Sequence, residues 1–527
     1  MWNKQWRTDT WQRLCEPWDL LVIGGGITGA GVLRQAVQAG LKSLLVEAND
    51  FSFGTSSKSS KMIHGGFRYL ANKQYSVTRE SVREREWMLK EAPGLVKKIG
   101  YYLPAYESYP LTLSAFRQGV VIYDLLAPKW DHRTVDASRL QAEFPGLNVA
   151  GLTGGMLYYD AGMDDSRVLI RVLREACREG GTALNYTRAE SLLRRVDGTV
   201  CGAVVRSADG RTAEVQAKVV INACGPWSDE LRAQVGGEAH IRKLRGSHLV
   251  FARDRFPARE AVTLLHPKDK RSLFVVPFEG TTLVGTTDLD HPKALEDGYK
   301  EPFATSQEIF YLLEAANFLF PSLTLTQGDI LFTFAGVRPT LQNGATDAPS
   351  KVSRRHALYQ EQGLITITGG KYTIFRIMAR QALEAALAQM GRSSSAPKKR
   401  IFEKVDFDAL DSLDRTASHY LGGRYGLETN DLLAAAQAGE RELISPLQNI
   451  WAELRWAARD EGVLHLSDLL LRRVRLGMLL PDGAADVMDR VRAIVQPELG
   501  WDDATWQREL FDYRTTWQKY YSSKPTL

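Results

Sequence analysis

The feature that most constrains this chain is the run Gly24-x-Gly26-x-x-Gly29. It lies directly behind the short apolar run Asp19–Ile23 and opens a segment, residues 27–39, with small residues on one helical face. Leu41–Val46 then reads as a second buried strand ending at Glu47. Strand, glycine turn, helix and strand make one βαβ start, which calls for a parallel sheet with helices packed on it. Gly24 permits the tight turn, Gly26 lets the backbone approach a pyrophosphate, and Gly29 lets helix and strand pack closely. The helix start offers free N–H groups and a positive dipole end to phosphates. Glu47 is placed to accept adenosine ribose hydroxyls, and its charge disfavours a 2′-phosphate. The fingerprint therefore predicts a dinucleotide seat without choosing between NAD and FAD.

Composition removes several classes. Lysine and arginine number 67 against 62 aspartates and glutamates, a net +5 over 527 residues, too dilute for a nucleic-acid binder. The four cysteines, Cys15, Cys177, Cys201 and Cys224, form no CxxC pair, which fits a reduced cytosolic protein and no disulfide scaffold, iron–sulfur cluster or zinc ribbon. The histidines show no metal-ligand spacing, so no metal site is expected. The longest uncharged run, Phe144 to Tyr159, is too short and too rich in glycine for a conventional transmembrane helix. The start of the chain lacks a secretory h-region.

Further along, residues 76–91 read as a surface helix ended by Pro93-Gly94. Lys218–Ala223 reads as a strand running into Cys224-Gly225-Pro226, and Leu273–Pro277 with Thr282–Gly285 as a hairpin around Glu279-Gly280. Leu364–Thr368 leads into Gly369-Gly370 and a helix from about Tyr372 to Leu387. Residues 388–400 read as a linker, and residues 406–525 as helical. The stretch LLLRRVRLG at 469–477 reads as an amphipathic helix packed into its own domain.

Seven motifs occur in order: GGGITGAG at 24–31, TSSKSSKMIHGGFRYL at 55–70, INACGPW at 221–227, GSH at 246–248, GTTD at 285–288, GVRP at 336–339 and GGKYTIFR at 369–376. Together they closely resemble the FAD-dependent glycerol-3-phosphate dehydrogenases, within the D-amino-acid-oxidase-like flavoproteins. The resemblance implies an α/β fold: a discontinuous GR2-type Rossmann-like FAD domain (17–90, 150–240 and 335–390), an antiparallel-sheet substrate domain (91–149 and 241–334), an all-α C-terminal domain (401–527) and an N-terminal extension (1–16). Tyr372 and Ile374 depart from the best-known bacterial form, while Lys371 and Thr373 are retained. An EF-hand calcium loop and a cysteine-rich tail are both lacking, so a single-chain enzyme without calcium regulation is expected.

The implied substrate is sn-glycerol 3-phosphate, losing a hydride from C2 to flavin N5 and a proton from the C2 hydroxyl to give dihydroxyacetone phosphate. Arginine suits a phosphate because its planar fork binds oxygens in pairs and stays charged. By motif, Arg68, Tyr69, Arg338, Arg354, Lys371 and Thr373 are expected at the substrate, with Arg355 the alternative to Arg354. His248 is the first candidate for proton acceptor and His64 the second, while Arg338 can hold the C2 oxygen as an oxyanion. Lys371 is expected at the flavin edge. FAD itself is expected on Gly24, Gly26, Gly29, Glu47, Thr55, Ser56, Ser57, His64, Gly65, Gly66, Gly225, Gly369 and Gly370, and Cys224 reads as a small residue under it.

The family's quinone-linked members are peripheral membrane enzymes. Two segments fit lipid contact on the inner face of the cytoplasmic membrane: the start of the chain, with Trp2, Trp6, Trp11 and Trp18 among Lys4, Arg7 and Arg13, and the largely apolar residues 109–130. A homodimer is compatible with the sequence. Two alternatives stay open, an oxidase passing electrons to O2 and a non-catalytic flavin-binding sensor.

Overall fold

A computed structural model describes residues 2–66, 74–110, 112–127, 130–298, 300–342, 355–392, 395–397, 399–410 and 413–524. Arg68, Tyr69 and Arg354 lie outside the described residues, as do parts of the 109–130 segment.

Two sheets organise the chain. The first contains the order His356–Glu361, Leu364–Gly369, Thr212–Asn222, Trp18–Ile23, Ser43–Val46 and Thr182–Leu184. The Trp18–Ile23 strand runs parallel to both neighbours, with Val22 opposite Leu45 on one side and Ile221 on the other. Every residue of Leu20–Ile23 and Ser43–Val46 is buried, as a parallel sheet covered on both faces requires. The Ile27–Gln38 helix returns across it, and Gly31 leaves no room for a side chain because a Cβ there would sit 2.9 Å from the Phe375 ring of the Phe375–Gln389 helix. This is the doubly wound half expected from the glycine fingerprint.

The second sheet has ten strands and is mostly antiparallel. At its centre Ile241–Ala252 pairs with Thr281–Gly285 on one side and Ile330–Leu341 on the other. Ser272–Phe278 and Thr281–Gly285 form the expected hairpin. The strand pairings move the expected division at 150 and 335. Leu152–Met163 is the long antiparallel partner of Val96–Tyr106, and Ile330–Leu341 that of Ile241–Ala252, so both belong to the second sheet. Met62–Ile63, from the early motif, also joins it at the edge. Burial and strand pairing between segments distant in sequence decided these memberships.

The C-terminal fifth is helical from Arg415 onward, with helices at Arg415–Tyr425, Ala452–Asp460, Met488–Leu499 and Asp503–Tyr520. It shares an apolar core with the second sheet, where Val250, Phe278 and Phe332 meet Leu470, Leu471 and Trp506. The 469–477 stretch departs from the expectation of a helix packed within its own domain. Leu469–Arg473 forms a π-type turn, and its arginines reach the first domain: Arg472 and Arg473 bind Asp50, and Arg475 binds Asp164 and Asp165.

The N-terminal tryptophans are not a lipid-facing array. Trp2 is 2% exposed, packs on Phe51 at 5.0 Å and pairs its backbone with Asp460 and Gly462. Trp18 is a sheet residue, equally buried, and Arg211 covers Trp11. The segment reads as amphipathic because its partners are distant in sequence: Phe51, Asn185 and Arg211 in the first domain, and for Trp2 also Glu461 in the C-terminal domain. The 76–91 helix, Tyr75–Glu91, is likewise half inward, burying Val82, Glu84, Arg85 and Met88.

Candidate active site

Trp18–Ile23 ends in Gly24, whose φ of +116° belongs to glycine and whose hypothetical Cβ would meet the Ala223 carbonyl oxygen at 2.6 Å. Gly29 lies against the Gly24 carbonyl, with 2.0 Å left for a Cβ. Gly26 is the N-cap of Ile27–Gln38 and caps it with no side chain. Ser56, from the next motif, accepts the Ile27 N–H at 3.0 Å. The remaining first-turn amides are thus not capped by the helix's own N-cap side chain, as an anion seat needs. Glu47 accepts the N–H groups of Gly25 at 2.7 Å and Asn49 at 2.8 Å. Burial raises its pKa above the usual carboxylate range, and these two amides counter that.

A cavity of about 1310 Å³ is lined both by this turn and Glu47 and by Arg271, Asp288 and Arg338 from the second sheet. That exceeds the roughly 300–1,000 Å³ of an ordinary small-ligand pocket. Thr55, Ser56, His64, Gly66, Gly225, Gly369, Gly370, Lys371 and Thr373 also line it. Gly369 and Gly370 take φ of +78° and +69°, turning the chain so that Lys371 faces back toward the early motif. There Lys371 Nζ donates to the carbonyls of His64 at 3.1 Å and Gly65 at 3.2 Å.

Arg338 projects from the Ile330–Leu341 strand over Gly246, its cross-strand neighbour's glycine. A Cβ on Gly246 would fall 2.1 Å from the guanidinium. Arg338 donates to Thr286 Oγ1 at 2.9 Å and pairs with Asp288 Oδ1 at 3.2 Å, while Arg271 takes Asp288 Oδ2 at 3.0 Å. One buried carboxylate therefore holds two cavity-lining arginines apart and leaves this wall with net positive charge. The sequence signal for Asp288 is only its place in the GTTD motif, and Arg271 carries none, because a charged cluster before a hairpin resembles any solvated turn.

Three expected cavity residues lie behind the wall. His248 is 1% exposed, stacks on Phe334 at 4.6 Å and meets Ser60 Oγ through Nε2 at 2.8 Å. It is Ser60 that lines the cavity. Burial, aided by the charges of Arg338 and Lys61, pushes the His248 pKa well below the usual imidazole value. The structure thus sets His248 behind Ser60, off the cavity wall where a direct proton acceptor was expected. Ser57 turns its carbonyl to Lys61 Nζ at 2.6 Å and Arg475. Gly65 gives its N–H to Tyr123 Oη at 2.7 Å. Arg355, the alternative to Arg354, is exposed. Cys224 lines the cavity with a thiol that burial pushes far above its ordinary pKa, so it is an unreactive wall group.

Residues 19–376 match the model of the FAD-dependent oxidoreductase family, and residues 365–506 that of the C-terminal domain of α-glycerophosphate oxidase. Glycerol-3-phosphate dehydrogenase 2 of Mycobacterium tuberculosis is 37% identical, covering 96% of this chain and 89% of that protein. The chain belongs to the family of FAD-dependent glycerol-3-phosphate dehydrogenases. The aerobic glycerol-3-phosphate dehydrogenase of Staphylococcus aureus is 32% identical over 87% of this chain and 86% of its own length. Among solved structures, a glycerol-3-phosphate dehydrogenase from Bacillus halodurans complexed with FAD superposes with a TM-score of 0.79 at 27% identity, covering 100% of this chain and 99% of that one. An L-α-glycerophosphate oxidase from Mycoplasma pneumoniae with FAD bound shares the fold at 18% identity and a TM-score of 0.57, covering 74% of this chain and 99% of that one.

The cofactor is therefore FAD, as the motifs implied, and the residues present fit it. The uncapped turn at Gly24–Gly26 suits a pyrophosphate and Glu47 a ribose. The Gly369–Gly370 turn brings Lys371 and Thr373 to the wall of the same cavity.

Proposed function

We propose that this family member oxidises sn-glycerol 3-phosphate to dihydroxyacetone phosphate and passes the electrons to a membrane quinone. The observation that carries the reading is the Arg338–Asp288–Arg271 wall in the same cavity as the dinucleotide seat. A phosphate dianion is the natural partner of two such forks. Arg68, Tyr69 and Arg354 are proposed to close on the same phosphate, as their motifs suggest.

FAD, when bound, supplies the hydride acceptor at N5. The chain's own groups do the rest. Arg338 and Arg271 hold the phosphate, and Lys371 with Thr373 orients the C2 oxygen. His64, on the cavity wall, takes the C2 hydroxyl proton on an imidazole nitrogen, in place of His248. Arg338 steadies charge on that oxygen.

Quinone is favoured over O2 by the Leu113–Leu126 helix, whose outer face exposes Ile122 at 39% and Leu125 at 66%, with Trp130 beyond it at 65%. Arg117 and Arg133 flank these apolar groups, the composition of a surface that rests on anionic lipid. No helix among the described residues is long and apolar enough to cross a membrane. The proposed site of action is thus the inner face of the cytoplasmic membrane, bound peripherally.

The test is anaerobic flavin bleaching, followed by absorbance, with sn-glycerol 3-phosphate, glycerol and a 2-hydroxy acid in separate runs. Bleaching by the phosphate ester alone, reversed by a soluble quinone without peroxide in air, is expected. A bound flavin that never bleaches would sink the reaction, and rapid peroxide formation would sink the acceptor.

A further inference from the structure

The His64–Gly66 segment is held from two sides, and only one of them belongs to the cofactor domain. On that side Lys371 Nζ takes the carbonyls of His64 and Gly65. From the other side, the Gly65 N–H reaches Tyr123 Oη at 2.7 Å, with Asp160 Oδ1 at 3.3 Å. The tyrosine hydroxyl accepts from that amide and donates to Asp160 Oδ1 at 2.7 Å. Arg85 closes the cluster, donating to the same Asp160 oxygen at 2.6 Å and to the Tyr159 carbonyl at 2.8 Å. Tyr123, Asp160 and Arg85 are 1%, 2% and 4% exposed. They come from the Leu113–Leu126 helix, the Leu152–Met163 strand and the Tyr75–Glu91 helix.

A cluster of this kind is a costly way to pack a helix. Each buried polar group must be satisfied, and a half-made network is worse than an apolar contact. Here the network ends on one backbone amide beside the catalytic cavity. The fit at that amide is close as well: a Cβ on Gly65 would lie 2.3 Å from Tyr123 Oη and 2.3 Å from Val82 Cγ1. Gly65 thus admits the hydroxyl and nothing larger.

We propose that Tyr123 is a positioning residue for the flavin edge: its hydroxyl, fixed by Asp160 and Arg85, holds the Gly65 amide and so sets His64 and Lys371 against the reacting atoms. The role assigned to His64 rests on the proposed reaction; the hold on Gly65 does not.

The test uses the FAD-bound full chain with Tyr123→Phe, which removes one oxygen and leaves the ring. The bleaching rate with sn-glycerol 3-phosphate should fall about tenfold or more, as small misplacements of reacting groups do. KM for the ester should stay within about twofold. Amide hydrogen exchange at Gly65 should speed up at least tenfold, and the visible flavin band should shift. A merely structural tyrosine would lower the melting temperature and leave rate and flavin band unchanged, which would overturn the proposal. If Tyr123→Phe does not accumulate as folded holoprotein, Asp160→Asn is read in the same way, since it removes the charge that fixes Tyr123 and Arg85 and turns one acceptor oxygen into an NH2 donor. The exchange measurement needs no substrate. A wild type that never bleaches, with the flavin band and Gly65 exchange both altered in the variant, would sink the reaction and uphold the positioning role.

Discussion

At the scale of single residues, the two histidines near the cavity differ by environment rather than by type. His64 lines the cavity, whereas His248 lies behind Ser60 among buried cations. His64→Gln should lower the rate of flavin reduction by 10²- to 10⁴-fold, the usual worth of a general base. His248→Gln, which can still bond Ser60, should cost less than tenfold. Measuring both by stopped-flow bleaching checks the assignment, and the reverse order of effects would refute it. Sequence favours His248 because His64 lies in the segment that resembles the flavin-wrapping loop and reads as a cofactor positioner. What it did not show was the Phe334 ring stacked on the imidazole and the Ser60 hydroxyl in front. Arg338, Lys371 and the three fingerprint glycines were legible because each follows from a local turn or motif. Asp288 and Arg271 acquire meaning only when two strands bring them together.

At the scale of elements, the Ile241–Ala252, Thr281–Gly285 and Ile330–Leu341 strands form a platform with glycine under each large polar side chain. Gly246 faces Gly336 across the ladder, and Gly285 faces His248. A Cβ at Gly285 would fall 2.1 Å from the His248 ring. Gly246→Ala should push the Arg338 guanidinium out of place and raise KM for the phosphate ester at least tenfold. FAD should bind as before, because Gly246 is remote from the Gly24–Gly29 turn. Titrating FAD and substrate separately would check this, and equal loss of both would count against it. The platform is anchored from below by Glu308, which pairs with Arg245 at 2.8 Å and accepts from Ser247 Oγ and Thr287 Oγ1. Hairpins and the βαβ start could be read from sequence because their partners are neighbours. Leu152–Met163 and residues 335–341, expected with the cofactor domain, pair in the second sheet, because their partners are not neighbours in sequence.

At the scale of the whole molecule, buried ion pairs tie the C-terminal domain to the start of the Asp165–Arg178 helix. Asp164 pairs with Arg475 at 3.0 Å and Arg424 at 3.1 Å. Burial works to raise its pKa, but the two arginines outweigh it and hold it at about 2, against an ordinary 3.8. A depressed carboxylate contributes stability that is complete above the ordinary value and is lost as pH falls through the folded one. This group therefore supplies on the order of 2 kcal/mol that disappears between pH 3.8 and about 2. The difference in urea midpoint between wild type and Asp164→Asn should stay constant above about pH 4.5 and narrow below it. A difference that ignores pH down to 2.5 would contradict the assignment. The same joint has a consequence for how the protein is made. Arg475 meets Asp165 across 310 residues of chain. At 5–20 residues per second, a ribosome needs roughly 15 to 60 s to deliver the second partner after the first. Throughout that interval Lys61 and Asp165 are made and can pair, but the Arg475 that completes the cluster is not yet there. Messages cut short before Arg475 would yield polypeptides whose nucleotide fold is present but whose loop is unlatched, natural substrates for proteolysis.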